Sequence, residues 1–226
     1  MDKNQENHFD QYAYDWWNKA GYYKLLHKLN PVRVEYIESK YNLKGKKILD
    51  VGCGGGLLTE ELHKKGAVVT GIDSSAKSIK IAQQHAKQQN FDITYIHKSI
   101  FETSFLKEFD CIICFEMIEH IDFPNLLLEK ILEISKDNSS LFLSTLNRNL
   151  KSFIFAKLIA EYLLEYVAKG THQYSKFITP YELTKMIEEN QYTLSSLDGL
   201  KFNPISESFL LTNNIDINYF LYAERK

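Results

Sequence analysis

Five short apolar segments alternate with amphipathic segments between residues 46 and 146, and this alternation restricts the fold more than any other feature. Strands that alternate with helices at this spacing indicate βαβ units and a parallel sheet with helices on both faces. The chain is therefore predicted to be an α/β protein. The predicted strands are 46–51, 67–73, 92–98, 109–117 and 139–146, and the predicted helices end near residue 65, span about 75–89 and span 124–135.

Before this alternation, residues 9–29 are aromatic and polar and are predicted to form one or two short helices. Asn30 followed by Pro31 predicts the N-cap and first residue of a further helix, because proline lacks only an amide that has no helical partner there. These residues belong to a predicted N-terminal helical segment at about 9–42.

After Leu150 the pattern changes to a long apolar helix at about 151–170 and then a second helix. Thr179 with Glu182 three residues later predicts a capping box at the start of that second helix. Two more strands are predicted over 193–200 and 215–224. No repeat or flexible linker divides the chain, so 1–226 is predicted to be a single domain.

Charge and composition exclude several classes of protein. The 27 Lys and Arg residues nearly balance 29 Asp and Glu residues, and the formal charge is −2. A general nucleic-acid binder would carry a basic field, so no nucleic-acid partner is expected. The first ten residues lack the apolar core of a secretory signal, and no apolar run reaches the roughly 20 residues of a membrane span. We therefore expect a cytoplasmic location.

The three cysteines do not suggest a disulfide framework. Cys111 and Cys114 have C-x-x-C spacing, which is compatible with redox chemistry or metal binding. Both lie in a predicted buried strand, however, where positions three apart face opposite sides of the sheet. We therefore interpret them as small apolar residues of the core.

A glycine loop, Asp50-Val-Gly52-Cys-Gly54-Gly-Gly56, follows the first predicted strand and begins a helix. Glycine permits a tight turn and lets a ligand approach the main chain closely. Asp73 ends the second strand, where an acid can accept hydrogen bonds from both ribose hydroxyls. This combination predicts a nucleotide-containing ligand, although a tight turn without a ligand would use the same glycines.

Two ligand classes fit the loop. A dinucleotide site would prefer G-x-G-x-x-G, with pyrophosphate at the helix N-terminus. Here the spacing is G-x-G-x-G and Asp50 precedes it by two residues. An acid at that position repels pyrophosphate but is compatible with the ammonium and sulfonium of S-adenosylmethionine. The charge argument favours the methyl donor over NAD.

The glycine loop followed by Gly71-Ile72-Asp73 resembles the first two motifs of the class I, Rossmann-like methyltransferases. Further stretches narrow the resemblance to the ubiquinone biosynthesis O-methyltransferase family, over nearly the whole chain. These are WW (16–17), NPVRVEYI (30–37), FEMIEHI (115–121), STLNRN (144–149), KGTH (169–172), FNPI (202–205) and D-x-N-Y (216–219).

The resemblance implies a seven-stranded, mostly parallel sheet whose last strand is antiparallel. It also implies that Arg33, Gly52, Asp73 and Met117 contact the donor. An arginine is suited to pair with the carboxylate of the methionine moiety. Many methyltransferases have an acid after the third strand that holds the adenine amino group, but residues 98–101 here read Lys-Ser-Ile-Phe. Adenine recognition by backbone groups and apolar contacts is expected instead.

Glu116, Glu119 and His120 follow the fourth strand, and helical spacing would place all three on one face. One hypothesis is a Mg²⁺ site made from these three side chains, and the family resemblance supports it. Another is that His120 is the general base, oriented by Glu119 and Glu116. A third is that the acids only satisfy amides at a helix start while the histidine is solvated.

A helix over 153–169 would carry its charges in one narrow stripe, at Lys157, Glu161, Glu165 and Lys169. Such an apolar helix either covers the core or lies in a membrane interface. The family resemblance implies substrates with polyprenyl tails, which favours an interfacial helix that brings the enzyme to the inner membrane as a peripheral protein.

We therefore predict an S-adenosylmethionine-dependent enzyme that methylates phenolic or catechol hydroxyls of polyprenylated ubiquinone precursors. The resemblance implies that it performs both O-methylations, of the 2-polyprenyl-6-hydroxyphenol and the 3-demethylubiquinol types, and that other ubiquinone-biosynthesis enzymes are candidate partners. Alternatives are methylation of another hydroxylated aromatic, an NAD-dependent oxidoreductase, or a non-catalytic nucleotide-binding module.

Overall fold

The alternation of strands and helices forms an α/β sheet structure in the computed structural model, which describes residues 12–152 and 176–226. In these ranges the helices are α1 (Lys24–Lys40), α2 (Leu57–Lys64), α3 (Ala76–Gln89), α4 (Pro124–Ile134) and α5 (Pro180–Glu189). The strands are β1 (Lys47–Val51), β2 (Val68–Asp73), β3 (Thr94–His97), β4 (Phe109–Phe115), β5 (Ser135–Leu146), β6 (Tyr192–Asn203), β7 (Ser208–Thr212) and β8 (Asn218–Arg225).

The strands form one sheet of order β3-β2-β1-β4-β5-β8-β6-β7. Strands β1 to β5 pair in parallel, whereas β8 is antiparallel to both of its neighbours, β5 and β6. The mostly parallel sheet confirms the predicted fold class, but it has eight strands rather than seven. The additional strand is β7, which pairs antiparallel with β6 at the edge.

Helices cover both faces of the sheet, as predicted. On one face, Val34 and Ile37 of α1 and Leu62 of α2 pack against the strands. On the other, Leu127 of α4 and Leu183 of α5 do so. The predicted capping box of α5 is present, because the Thr179 side chain accepts from the Glu182 amide and the Glu182 carboxylate accepts from the Thr179 amide.

The two cysteines of the C-x-x-C pair are fully buried in β4 on opposite faces of the sheet. Cys111 lies in the core cluster beneath α1 and α2, and Cys114 lies in the cluster beneath α4 and α5. Both are free thiols. Their interpretation as small core residues is confirmed, because side chains on opposite faces cannot share a metal or form a disulfide.

The start of α1 differs from the prediction. This helix begins at Lys24, so Pro31 lies inside it and Asn30 is not an N-cap. The buried Asn30 amide instead donates to the Leu57 carbonyl at 2.8 Å, which joins α1 to the first residue of α2. The earlier start follows a turn in which the Asp15 carboxylate accepts from the Tyr22 amide.

The strand order reverses between β1 and β4, so the loops after these two strands diverge at the carboxyl edge of the sheet. Ligands of open α/β sheets bind in the crevice at such a point. The glycine loop follows β1 and the Glu116–His120 segment follows β4, and both therefore face this crevice. In the described ranges no helix has the length and apolarity needed to cross a bilayer.

The apolar helix predicted at about 151–170 lies almost entirely outside the described residues, as does the KGTH stretch.

Candidate active site

A pocket opens at the carboxyl edge of the sheet where β1, β2 and β4 end. It brings together six of the seven predicted donor-binding residues with all three members of the Glu116/Glu119/His120 cluster. Residues that the sequence analysis did not assign to it also contribute, among them Trp16 and Ser78. The predicted residues that line it are Arg33, Asp50, Gly52, Gly54, Asp73, Glu116, Met117, Glu119 and His120.

Gly56 is the predicted donor-binding residue that does not line this pocket. It is the N-cap of α2 and has a φ of +87°, a conformation that favours glycine. A Cβ atom there would lie 2.4 Å from the hydroxyl oxygen of Tyr95. Gly56 therefore allows close packing between the loop and β3.

The other two glycines that were predicted to bind the donor shape the floor of the pocket. Gly52 and Gly54 have φ values of +77° and +53°, which side-chain-bearing residues rarely adopt. A Cβ at Gly52 would contact Met117 at 3.4 Å, so the loop after β1 touches the segment after β4. The two loops thus form one continuous surface.

Asp73 joins the glycine loop to the start of α3. Its Oδ2 accepts a 2.9 Å hydrogen bond from the Gly54 amide, and its Oδ1 accepts one of 2.8 Å from the Ser75 amide. These bonds fix the carboxylate at the pocket wall. A carboxylate oxygen has two lone pairs and can accept more than one hydrogen bond. The predicted contact with ribose hydroxyls is compatible with this placement.

Arg33 reaches the pocket from α1. Its guanidinium carbon lies 5.7 Å from the centre of the Phe115 ring, and its Nε is buried with no hydrogen-bond partner. Burial lowers the pKa of Arg33, and the nearby carboxylates of Glu116, Asp50 and Glu119 oppose that shift. A buried guanidinium donor without a hydrogen-bond partner destabilises the folded protein unless a ligand accepts a hydrogen bond from it.

Asp50 is buried beneath the glycine loop and accepts a 2.6 Å hydrogen bond from the Thr59 hydroxyl. Burial raises its pKa to about 6, whereas the Thr59 bond and Arg33 act in the opposite direction. Asp50 is therefore mostly ionised at neutral pH. A cationic ligand group would be favoured here and a pyrophosphate would be repelled.

The cluster after β4 does not form the continuous helical face that its spacing predicts. β4 ends at Phe115 because Glu116 has a φ of +52°, and a short 3-10 turn begins only at Ile118. Glu116 therefore lies outside the turn that contains Glu119 and His120. The chain changes direction at Glu116, which aims its carboxylate towards β5 and β8.

Hydrogen bonds from neighbouring strands hold the two glutamates. The Glu116 carboxylate accepts from the Ser144 hydroxyl at 2.8 Å and from the Asn218 amide at 2.9 Å. The buried Glu119 carboxylate accepts from the Thr145 hydroxyl at 2.9 Å. Burial and the nearby Glu116 raise the pKa of Glu119 well above that of an exposed glutamate, which favours its protonated form.

The predicted magnesium site is not formed in this geometry. In residues 12–152 and 176–226, no group of three or more His, Cys, Asp or Glu side chains could hold a metal ion. One oxygen of each glutamate, Oε1 of Glu116 and Oε2 of Glu119, accepts hydrogen bonds from the hydroxyl and amide donors described above. The residues present do not fit the three-ligand set expected for Mg²⁺, and we derive no chemical step through a metal.

Ser144, Thr145 and Asn218 are site residues that the sequence analysis did not identify individually. They belong to the STLNRN and D-x-N-Y stretches, which carry the family resemblance but predict no role for a single residue. The available signal was polar residues at the ends of two buried apolar strands. No residue of 98–101 lines the pocket, whereas Ser74 and Ser75 after β2 do.

Comparison with known proteins agrees with the fold and shows the family. A family profile described as a methyltransferase domain matches residues 22–197. A ubiquinone biosynthesis O-methyltransferase of Coxiella burnetii is 42% identical over 220 residues, which are 97% of this chain and 94% of the relative. A Vibrio vulnificus protein of the same name is 40% identical over 228 residues, covering 100% and 97% of the two chains.

Solved structures resemble the fold at lower identity. The magnesium protoporphyrin IX methyltransferase of Synechocystis PCC 6803 with bound SAH aligns with a TM-score of 0.72 and 19% identity, over 100% of both chains. A SAM-dependent methyltransferase of Thermotoga maritima aligns with a TM-score of 0.69 and 12% identity, over 97% of this chain and 99% of the other. From the extent and identity of the sequence matches, the chain belongs to the ubiquinone biosynthesis O-methyltransferase family.

Proposed function

We propose that this protein transfers a methyl group from S-adenosylmethionine to a phenolic oxygen of a polyprenylated ubiquinone precursor. The observation that carries the proposal is the buried, unpartnered Nε of Arg33 in a pocket that also presents Asp73. A ligand carboxylate can accept from Arg33, and ribose hydroxyls can donate to Asp73. The relatives named for ubiquinone biosynthesis support the choice of acceptor.

The charges around the pocket suggest how the donor is held. Arg33 pairs with the carboxylate of its methionine part, and the carboxylates of Asp50 and Glu116 attract the adjacent ammonium. Asp73 accepts from the ribose hydroxyls, while Gly52 and Gly54 let the ligand approach the backbone closely. Charge-assisted hydrogen bonds of this kind are about twice as strong as neutral ones.

The acceptor must lose a proton before or during transfer, because a phenol has a pKa near 10 and is a weak nucleophile when neutral. His120 lines the pocket and is the side chain best suited to take that proton. A new bond then forms between the phenolic oxygen and the methyl carbon, and the carbon–sulfur bond breaks to release S-adenosylhomocysteine. Holding oxygen, carbon and sulfur in line supplies much of the acceleration.

The buried Glu119 beside Thr145 has a supporting role in this scheme. Its raised pKa favours a neutral carboxyl group, so it adds little negative charge next to the reacting oxygen. Glu116 remains near Arg33, held by Ser144 and Asn218. We assign proton transfer to His120 and positioning to Glu119, and both O-methylation steps of the pathway belong to the proposal.

The proposal extends to location and partners. The apolar stretch at about 151–170 would bind the inner membrane from the cytoplasmic side and admit the polyprenyl tail. Its single charged stripe supports this, since an otherwise apolar helix suits an interface. Other ubiquinone-biosynthesis enzymes are candidate partners there. We also propose that 1–226 acts as one catalytic unit, which the single sheet supports because its strands span residues 47 to 225.

The decisive experiment measures methyl transfer to a short-tailed demethylated quinol together with S-adenosylhomocysteine binding by calorimetry. His120→Ala should lower kcat about 100-fold, in line with a general base, while binding stays within about twofold of wild type. Arg33→Ala should instead weaken binding, with Lys40→Ala on the same helix as the matched control. No methyl transfer by the wild type to any phenolic acceptor would overturn the proposal.

The same assay tests the metal hypothesis. Turnover measured with a chelator and after adding back Mg²⁺ separates proton transfer by His120 from cation assistance. Full activity in chelator is expected from the geometry of the glutamates. If the chelator abolishes turnover and added Mg²⁺ restores it, Glu116, Glu119 and His120 must rearrange to bind a cation.

A further inference from the structure

Residues 12–23 form a strap that crosses the glycine loop, and its first tryptophan lies against the loop. A Cβ atom at Gly54 or Gly55 would lie 2.5 or 2.3 Å from the Trp16 ring, so the indole rests directly on the backbone. Trp16 is 8% exposed, lines the pocket and donates from Nε1 to the Ser78 hydroxyl at 3.1 Å. A ligand seated against Gly54 therefore also contacts Trp16.

The second tryptophan, Trp17, points away from the pocket and attaches the strap to α3 and to the glycine loop. The Trp17 ring stacks on His85 with centroids 3.4 Å apart and an interplanar angle of 6°. Its Nε1 donates to the Gly55 carbonyl at 3.0 Å. Trp17 does not line the pocket, so its contacts serve attachment rather than ligand binding.

His85 is in turn held in place by a buried glutamate. Its Nδ1 lies 2.8 Å from Oε1 of Glu60, and because a carboxylate can only accept, Nδ1 carries the hydrogen. The Glu60 residue is fully buried in the first turn of α2, and its other oxygen has no hydrogen-bond partner. Because His85 is the side-chain partner of this buried carboxyl group, Glu60 strongly restricts the position of His85.

One face of α3 contributes three residues to the contacts with the strap. Ser78, Ile81 and His85 are spaced by three and four residues, which places them on the same side of the helix. Ser78 bonds to Trp16, Ile81 packs beside the strap's aromatic residues, and His85 stacks on Trp17. The strap therefore extends from Trp16 at the pocket wall to the stacked rings of Trp17 and His85 on the other side of the glycine loop.

From these contacts we infer that Trp17, His85 and Glu60 are positioning residues that hold the strap closed over the donor site. The inference rests on the proposed function and deepens it. Donor binding requires Trp16 to lie against the glycine loop. We call Trp17, His85 and Glu60 the latch, and it determines the fraction of molecules in which Trp16 lies against the loop. When the binding-competent arrangement is only fractionally populated, apparent affinity falls by that fraction.

The test compares S-adenosylhomocysteine binding and donor kinetics in latch variants. Trp17→Ala, His85→Ala and Glu60→Leu should each weaken binding and raise the donor KM by about tenfold, because each loses a buried stacking or hydrogen-bond contact. At saturating donor, kcat should stay within about twofold of wild type, since the reacting groups are untouched. Glu60→Gln keeps an acceptor for His85 and should restore near-normal binding.

Intrinsic fluorescence gives a direct readout of the strap, because the chain has two tryptophans and both lie in it. In Trp17→Phe, Trp16 is the only tryptophan, so adding S-adenosylhomocysteine should change the emission seen on selective excitation of tryptophan. An unchanged spectrum despite binding measured by calorimetry would overturn the contact between Trp16 and the donor site.

The matched control is His63→Ala on α2. His63 also contacts an aromatic ring, that of Phe91 with centroids 5.3 Å apart, but lies away from the pocket. The His63→Ala variant should bind S-adenosylhomocysteine as tightly as the wild type does. Equal loss in His63→Ala and His85→Ala, or no loss in any latch variant, would overturn the latch. Failure of the wild type to bind S-adenosylhomocysteine would overturn the proposed function instead.

Discussion

The Asn218 amide donates a 2.9 Å hydrogen bond to the Glu116 carboxylate, although 102 residues separate them in the sequence. Asn218 is the first residue of β8, and Glu116 is the residue at which the chain turns after β4. The bond therefore ties the antiparallel part of the sheet to the pocket. It also keeps Glu116 near Arg33 in a backbone conformation that a glutamate rarely adopts.

Asn218→Ala should lower kcat/KM for the donor about tenfold, because hydrogen bonds to charged groups contribute roughly 1.5–3 kcal/mol and Ser144 still holds Glu116. Asn218→Asp should lower it further, since it places a second carboxylate beside the first. Steady-state kinetics with varied donor measure both effects. Asn42→Ala, at an exposed asparagine with a local hydrogen bond, is the control and should match wild type. Wild-type kinetics in Asn218→Ala would mean that Glu116 has no role in the site.

Asp73→Ala should reduce affinity for S-adenosylmethionine by about one to two powers of ten. The change removes the proposed bonds to ribose and also frees the Gly54 and Ser75 amides, and charge-assisted bonds contribute roughly 1.5–3 kcal/mol. Calorimetry measures the affinity, and thermal unfolding shows whether the variant folds. Asp92→Ala at an exposed acid serves as control. Unchanged affinity in folded Asp73→Ala would remove Asp73 from the donor site.

Asp50 predicts a specific dependence of stability on pH. Burial raises its pKa from 3.8 to about 6, so between these values the folded chain binds a proton that the unfolded chain has lost. The contribution of Asp50 to stability must therefore fall as pH rises through this window. Asp50→Asn removes the effect, and its free energy of unfolding relative to wild type should rise by about 2 kcal/mol from pH 4 to 6.

Urea unfolding of both proteins at several pH values measures this difference. Other carboxyl groups contribute to each curve, but they cancel in the comparison of wild type with Asp50→Asn. Parallel curves across the window would show that Asp50 titrates normally.

The proposed membrane contact makes a prediction about residues outside the described ranges. Phe153→Ser combined with Leu163→Ser and Leu164→Ser should weaken co-sedimentation with liposomes, since each buried apolar side chain contributes roughly 1.5–3 kcal/mol. Activity should fall on a long-tailed acceptor and persist on a tail-less one. Glu161→Ser with Glu165→Ser, which alters only the charged stripe, is the control. Equal loss on both acceptors would indicate a helix of the core.

The sequence was informative where local chemistry determines structure. The capping box at Thr179 and the alternation from β1 to β5 depend on neighbouring residues, and both are present in the structure. The glycine loop, Asp73 and Met117 meet in one pocket because the carboxyl ends of parallel strands share an edge.

Features that depend on distant residues were not predictable in this way. The conformation of Glu116 is supported by Ser144 and Asn218 on other strands, so helical spacing misplaced it. Pro31 lies inside α1 because the helix begins after a turn that Asp15 organises, which no pattern near residue 30 reveals. β7 was missed because five residues of an edge strand have little periodicity.

The position of β8 between β5 and β6 has a consequence for the order of assembly during synthesis. Both neighbours are translated before β8, and they cannot become joined in the sheet until it inserts between them. Until then each presents an open edge, the kind of surface that promotes misassociation in nascent chains. Because β8 also brings Asn218 to Glu116, the pocket acquires its final geometry only in this late step. A ribosome-bound chain that stops short of β8 should therefore be unable to complete the donor site.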